Sequence, residues 1–592
     1  MTPYLPVLAN KMVGSRELSN RFLEDFRQTI GDLVAEENYA VFRELAHANG
    51  VHLHSESGGP HAAPIDGLQT LGINDIPMGE FWARANTHRI SDGRRMAVKQ
   101  GSSASHIYGK RFFGAEGPTS VGPQWERSPR ELKGTLDRAF CNGVNRLFWH
   151  TYTSSPDETG IPGLEYFAGT HMNRKVTWWD QSHTFIDYIN RTTFMLSQGL
   201  YTADVLGYYG SGIPNYVYLE NDLKGVPRGY AWDMCNSQVL LARVAVKDGR
   251  IVMPDGMSYA LISLPGHQDI SLPVLRKIEE LVKEGAILVG SPPERATGWT
   301  GYPESDREVQ DIVKRVWGAV DQKTVFSNRY GKGKVYCGKT IGQVLKAEHI
   351  EPDFSYLADE NVDLDYIHRS AEDVDIYFIT NKWSRIGIDD RIYRYQTDLP
   401  DRYIRSICSF RMEDERKIER FDPLTGTMTP VTVYKREGDR YLIPVTLAPE
   451  GSIFIVFRSS AERRHIVNIE KDGKKLIAGN DPLVTGASDL HVNAHQVEIG
   501  ECGTYRFTWS DGKESEIHLK QHNPEYIIDG KWKIHFMENP LLGESFEIET
   551  DELKSWTDFS NREVKYFSGK ARYSKNFFHS RENLKSGRVN LD

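Results

Sequence analysis

The chain has 592 residues and a net charge of -9, with 39% hydrophobic and 26% charged residues. One core cannot serve that length, so about four modules of ordinary size are expected, and the acidic balance carries no basic footprint for nucleic acid. No apolar run is long enough to span a bilayer, and five scattered Cys point to neither a disulfide framework nor a zinc knuckle.

The opening MTPYLPVLANK lacks the charged and apolar regions of a signal peptide and reads as the middle of a longer unit. Helical periodicity follows over Leu18 to Leu33 and Asn38 to Asn49. Short strands are expected at Gly50–His54, Asp75–Met78, Arg111–Ala115 and Asn145–Tyr152, each followed by polar residues able to do chemistry: HSESGG, MGEFW, GAEGPTS and HTYTS. Functional groups gather at strand ends in a βα-barrel. Four such βα units make half of an eight-stranded barrel, and the other half is expected upstream of Met1.

A helix is expected from Trp178 to Gln198, and a second α/β region from Asp204 to Leu345 with strands in ADVLGYYG, YALISLP, GAILVGSP and KGKVYCG. That alternation predicts a small parallel sheet covered by helices. Gly207, Gly210 and Gly212 lack GxGxxG spacing and read as turns. From Tyr356 onward only strands are expected, as in DVDIYFITN, GSIFIVFRS, KLIAG and TYRFTWSDG, arranged as two sandwiches splitting near His465. The last segment begins a further all-β module that stops before a jelly roll closes. The expected fold class is multidomain α/β plus all-β, with modules at 1–195, 196–350, 351–462, 463–522 and 523–592.

Three carboxylates stand out. Glu56, Glu80 and Glu116 each follow an apolar run and sit among Gly, Ser and aromatic residues, as the paired acids of a glycosidase do. A structural hydrogen bond or salt bridge accounts for one such Glu but not for a series of three. His52 and His54 would share one strand face, either as metal ligands or as hydrogen-bonding groups toward substrate or Glu56. Asp66, Glu56 and Glu80 could offer oxygen ligands to calcium. Trp82, Trp125, Trp149, Trp178 and Trp179 lie in the same zones, where one or two would serve as sugar platforms and the rest as core. Arg138, Asn145 and Arg146 could orient a hydroxyl or simply cap and pair.

The runs YLPVLANKMVGS, RFLEDFRQTIGDL, HSESGGP, INDIPMGEFW, GAEGPTS, LDRAFCNGVNRLFWHTYT and TWWDQSHTFIDYINR together resemble glycoside hydrolase family 106, the α-L-rhamnosidases, over nearly the whole chain. The resemblance implies a (β/α)8 catalytic barrel, here its C-terminal half, then a flavodoxin-like α/β domain and β-sandwich domains. It implies an inverting hydrolase of terminal rhamnose in plant or algal polysaccharide, periplasmic or secreted, with calcium in the active site.

By motif, Glu116 of GAEGPTS corresponds to the general base, although Gly117 and Pro118 stand where the family more often has Ala and Phe. Glu56 and Glu80 are implied at the pocket as contacts to substrate or metal, and His54, Trp82, Trp149 and His150 are expected to line it. The family's general acid lies in a DSYE-like motif ahead of the YLPVL segment, so a base without its acid is expected here, with weak turnover except on activated aryl glycosides. The terminal KYFSGKARYSKNF resembles the sugar-binding jelly roll of family 2 glycosidases. Competing readings are a family 42-like β-galactosidase and a non-catalytic carbohydrate-binding remnant.

Overall fold

The computed structural model describes residues 2–57, 63–85, 96–121, 127–217, 223–266, 268–358, 362–382, 402–460, 464–477, 490–492, 497–499, 502–520, 528, 530–538 and 543–577. A 3-10 helix over Thr2–Ala9 leads into α1 (Arg16–Val34), whose N-cap Ser15 accepts the Leu18 N–H. The two helices expected over 18–33 and 38–49 form one continuous run. Six residues of π-helix, Ala35–Ala40, join α1 to α2 (Val41–Ala48). No Gly or Pro lies between 32 and 49 to interrupt it.

Parallel strands and helices then alternate: β1 (His54–Ser55), α3 (Gly67–Ile73), β2 (Ile76–Ala85), β3 (Met96–Ala97), α4 (Lys99–Ile107), β4 (Gly114–Val121), α5 (Pro129–Cys141), β5 (Arg146–Trp149) and α6 (Ser182–Leu196). The sheet order β1-β2-β4-β5 follows the chain, every pair is parallel, and β3 lies antiparallel on β2. One face packs Phe81, Phe113 and Ala115 against Leu132, Leu136 and Phe140 of α5 and Phe185 and Tyr188 of α6.

The second α/β sheet holds β7 (Val205–Tyr208), β8 (Trp232–Cys235), Leu261–Ser263, Ile287–Val289 and Gly333–Tyr336, all parallel, with Ser327–Tyr330 antiparallel at the edge. Numbered along the chain, the parallel strands lie in the doubly wound order 2-1-3-4-5. Gly207 lies within β7 rather than in a turn and accommodates the Met234 sulfur where a Cβ would stand, whereas Gly210, past the strand, takes a positive φ of 94°. A buried charged cluster fastens this sheet to α4. Lys99 donates to the Trp232 carbonyl, Ser103 and Tyr259 donate to Asp233, and His106 Nδ1 lies 3.1 Å from each Asp233 oxygen. Burial pushes the Asp233 carboxyl up, but His106 and Lys99 outweigh it and hold the group below its ordinary range.

The following strands form two antiparallel sheets face to face. One runs Phe354–Ala358, Ile404–Arg411, Arg440–Leu447, Lys435–Glu437. The other runs Met428–Pro430, Arg416–Phe421, Ser452–Ser459, Val374–Asn381, Leu364–Ala371 and ends on β6 (Leu200–Tyr201). Burial alternates along Arg440–Leu447, placing Tyr441, Ile443, Val445 and Leu447 in the core. Val374–Asn381 is buried on both faces, because α5 and α6 cover its outer side through Ile376, Phe378 and Phe454. That explains its unbroken apolar run. Beyond it lie a four-stranded sheet (Lys474–Ile477, Ile466–Lys471, Gly503–Trp509, Glu514–Leu519) and a three-stranded sheet packed around Phe536, Phe546 and Phe567. All five Cys are free thiols, four of them buried. Among the described residues no helix is long and apolar enough to cross a membrane.

Candidate active site

Strand register assembles the site. Glu80 of β2 lies opposite Glu116 of β4, which lies opposite Phe148 of β5. Residues paired across parallel strands point to the same face, so these three side chains emerge together. His54 joins them, its ring stacked on Phe148 with centroids 4.6 Å apart. Glu56 follows two residues on, just past the end of β1. Glu80 and Glu116 therefore stand inside their strands rather than after them as the sequence suggested, at the fifth position of β2 and the third of β4.

A Cβ at Gly117 would come 2.5 Å from the Phe81 ring, so glycine is the residue that lets Phe81 pack against β4 just after Glu116. That accounts for one of the two departures in GAEGPTS. Nothing in the structure explains Pro118.

The three carboxyl groups differ sharply in setting. Glu80 is 7% exposed, whereas the Glu116 side chain is 36% exposed and open to water. Burial, then the like charges of Glu80 and Glu116, push the Glu56 carboxyl up to about 9. Burial and Glu116 push Glu80 up to about 7, against the relief of a hydrogen bond from Trp82 Nε1. One oxygen of Glu56 is buried without a hydrogen-bond partner. Among the described residues no Lys or Arg pairs with Glu56 or Glu80. The oxygens of Glu56, Glu80 and Glu116 do not all come within 4.8 Å of one another, so the three do not form a closed cage.

His150 supports Glu116. Its Nδ1 lies 3.1 Å from a Glu116 oxygen and 3.1 Å from Thr119 Oγ1. Burial, with a further push from His171, holds the imidazole below its ordinary range despite the pull of Glu116. A neutral imidazole with a proton on Nδ1 can donate to that carboxylate and fix its orientation.

Aromatic side chains flank the same end. Tyr166 meets His150 edge to face at 6.0 Å, and Phe167 lies 4.6 Å from Tyr166. Tyr152, Tyr166 and Phe167 are all exposed. His171 fastens the loop that carries them, its Nε2 within 3.3 Å of the Tyr166 backbone nitrogen and carbonyl oxygen. The sequence reading passed over Tyr166 and Phe167 because they sit in a loop without periodicity. A pair of adjacent aromatics in a polar stretch was the available signal.

Several expected site residues lie elsewhere. Trp149 points to the opposite face, edge-on to Phe185, with its indole N–H donating to the Thr170 carbonyl at 2.8 Å. Alternation along β5 requires this, since Phe148 already faces the carboxyl groups. Trp178 likewise packs on Phe185 and donates to the Arg127 carbonyl. Trp125 falls outside the described residues. Asp66 caps α3 through the Gln69 N–H and accepts from Tyr209, which commits it to structure. Asn145 bonds the Phe113 N–H and the Arg111 carbonyl, tying β5 to the entry of β4, and Arg146 lies over Phe112. His52 parts from His54 and turns to His47 and Asp75.

A cavity of about 640 Å³ opens at the other end of the strands, lined by residues that include Lys110, Arg111, Tyr201 and Arg369. Its two carboxylates are Asp255, paired with Arg243, and Glu372. It gathers no group of three carboxyl side chains such as the face carrying Glu56, Glu80 and Glu116 presents.

Residues 1–400 match the family model of the glycoside hydrolase family 106 alpha-L-rhamnosidases. A Formosa agariphila protein described as "Putative beta-glucuronidase" is 34% identical over 510 residues, covering 85% of this chain and 39% of that protein. The fold is similar to the rhamnosidase from Novosphingobium sp. PP1Y, with a TM-score of 0.73 and 27% identity over 97% of this chain and 48% of that one. A beta-galactosidase from Bacillus circulans sp. alkalophilus is more distant, at a TM-score of 0.46 and 12% identity over 76% of this chain and 70% of that one. The chain thus spans less than half the length of the curated relative and of the solved rhamnosidase.

Proposed function

The chain belongs to the alpha-L-rhamnosidase family, glycoside hydrolase family 106, and from that premise we propose that it carries the water-activating base of an inverting rhamnosidase site. In this reading β1, β2, β4 and β5 are the C-terminal half of a (β/α)8 barrel, and the module beginning at β7 is flavodoxin-like. Glu116 is the general base. The observation that carries this is the contrast among three carboxyl groups on one face: Glu56 and Glu80 are buried and pushed towards their neutral forms, while Glu116 is open to solvent beside His150. A base for water must meet the solvent, and of the three carboxyl groups Glu116 alone is so exposed.

The proposed order of events uses this chain's own groups. The sugar rests between the carboxyl groups, with Tyr166 and Phe167 flanking the aglycone side. His150 holds the Glu116 carboxylate on the attacking water, and Glu116 takes a proton from it as the water's oxygen bonds to the anomeric carbon; the bond from that carbon to the aglycone oxygen breaks with its electron pair, and an aryl oxide leaving group takes its proton from solvent. Glu56 and Glu80 suit a hard cation such as calcium, because one Glu56 oxygen lacks a partner and the two like charges strain each other. Such an ion, when bound, would supply positive charge for the sugar's hydroxyls.

The relative described as a beta-glucuronidase favours a second reading, a sugar acid as substrate. Against it, no Lys or Arg among the described residues pairs with Glu56 or Glu80 on the carboxyl face, where a uronate would call for a basic side chain. A panel of aryl glycosides, α-L-rhamnoside and β-D-glucuronide among them, separates the two readings. Aryl rhamnosides with good leaving groups scarcely draw on a proton donor and so report on the base. Glu116→Gln is expected to lower their turnover by roughly a hundred- to ten-thousand-fold. Turnover equal to that of the parent chain would remove Glu116 from its role.

A further inference from the structure

We propose that His47, His52 and Asp75 form a binding site for a borderline divalent transition-metal ion, with Zn²⁺ as the reference case, at the N-terminal ends of β1 and β2. His47 lies in the last turn of α2, His52 in the connection to β1, and Asp75 just before β2. Gly50, at a φ of +71°, reverses the chain after α2, so that His52 returns to face His47. His47 Nε2 stands 2.8 Å from Asp75 Oδ2, and His52 Nδ1 stands 3.7 Å from the same oxygen. The two imidazoles are nearly perpendicular at 84°, and one donor atom from each of the three residues falls within 4.8 Å of the others.

Tetrahedral zinc with bonds of about 2.0–2.1 Å places its donors about 3.4 Å apart. The two distances bracket that value, so small side-chain adjustments close the site. The carboxylate is already oriented, because Asp75 Oδ2 accepts the Leu53 N–H at 2.8 Å, the kind of outer contact that fixes a metal ligand. A hydrogen bond from His47 to Asp75 explains one imidazole, but not the second poised over the same oxygen. Two imidazoles and one carboxylate favour zinc, nickel or copper over calcium. Three protein ligands leave the remaining position to water. The side chains of His47 and His52 are 47% and 81% exposed, so an ion loads without unfolding.

The site is distinct from the carboxyl face and needs no assumption about hydrolysis. The test is titration of the untagged chain, stripped with EDTA, with ZnCl₂ by calorimetry, alongside thermal unfolding with Zn²⁺ or Ca²⁺. One zinc per chain is expected through this cluster, with a raised unfolding midpoint for zinc and none from this site for calcium. His52→Ala and His47→Ala should each weaken binding at least about tenfold and cancel the zinc-dependent rise. His52→Ala should leave the metal-free midpoint unchanged, as its exposure requires, which separates lost binding from lost folding. Equal binding isotherms for parent and His52→Ala, or no saturable binding at about 1 mM ZnCl₂, overturns the proposal.

Discussion

Replacing Glu56 by Gln should remove a pH-dependent penalty on folding. Burial and the charges of Glu80 and Glu116 raise the Glu56 carboxyl from 4.5 to about 9. A carboxyl raised on folding binds its proton more tightly in the folded chain. Its stabilising share is therefore full below about pH 4.5 and drains away as pH climbs towards about 9. At about 1.4 kcal/mol per pH unit, the loss between pH 5 and pH 7 is about 3 kcal/mol. Gln keeps the shape and carries no proton to lose, so the variant lacks that slope.

In a chain of several modules the readout is the calorimetric transition that contains α1 to α6. For a cooperative unit of about 150–250 residues, each kcal/mol moves the midpoint by about 2–4 °C. Glu56→Gln should thus unfold about 6–12 °C above the parent at pH 7 and close to it at pH 5, both with EDTA present. An upward shift of equal size at both pH values would refute the argument, because it would show that Glu56 does not titrate across this range.

Three further outcomes follow from the same geometry. His150→Ala should lower kcat on an aryl rhamnoside by about tenfold or more with KM little changed, because it frees the Glu116 carboxylate rather than removing sugar contacts; a rise in KM alone would mark His150 as a binding residue. Tyr166→Ala should raise KM for aryl or oligosaccharide substrates several-fold while leaving the thermal midpoint within about 1 °C, since its ring is exposed; kinetics unchanged on both substrates would dismiss the aromatic platform. Gly117→Ala should cost about 1–3 kcal/mol by driving a methyl into the Phe81 ring, visible as a lower midpoint by differential scanning calorimetry, and a neutral substitution would mean that β4 shifts freely.

The sequence disclosed most where periodicity and chemistry coincided. Alternating strands and helices were legible across β1 to β5 and again from β7, because apolar runs ending in polar clusters mark parallel strands. The three glutamates could be found because carboxylates set among Gly and aromatic residues are uncommon on solvated surfaces. What the sequence withheld was direction. Trp149 and Phe148 are neighbours of similar character, and only the register with Glu116 decides which of them faces the site. His52 and His54 share a strand pattern, yet β1 begins at His54, so His52 belongs to a turn and answers to His47 instead. The continuous helix through Ala35–Ala40 was read as two because its apolar stripe slips where the π segment widens the turn.

The two residues of β6 have a consequence for biosynthesis. Leu200 and Tyr201 complete the edge of a sheet whose next strand is Leu364–Ala371, and Gln198 awaits the guanidinium of Arg369, 171 residues downstream. A ribosome adding about 5–20 residues per second leaves that edge unpaired for roughly ten to thirty seconds. The intervening doubly wound sheet can close during the wait, but the apolar flank of α5 and α6 stays bare until Val374–Asn381 emerges. Nascent chains halted within that window should be the ones that chaperones capture.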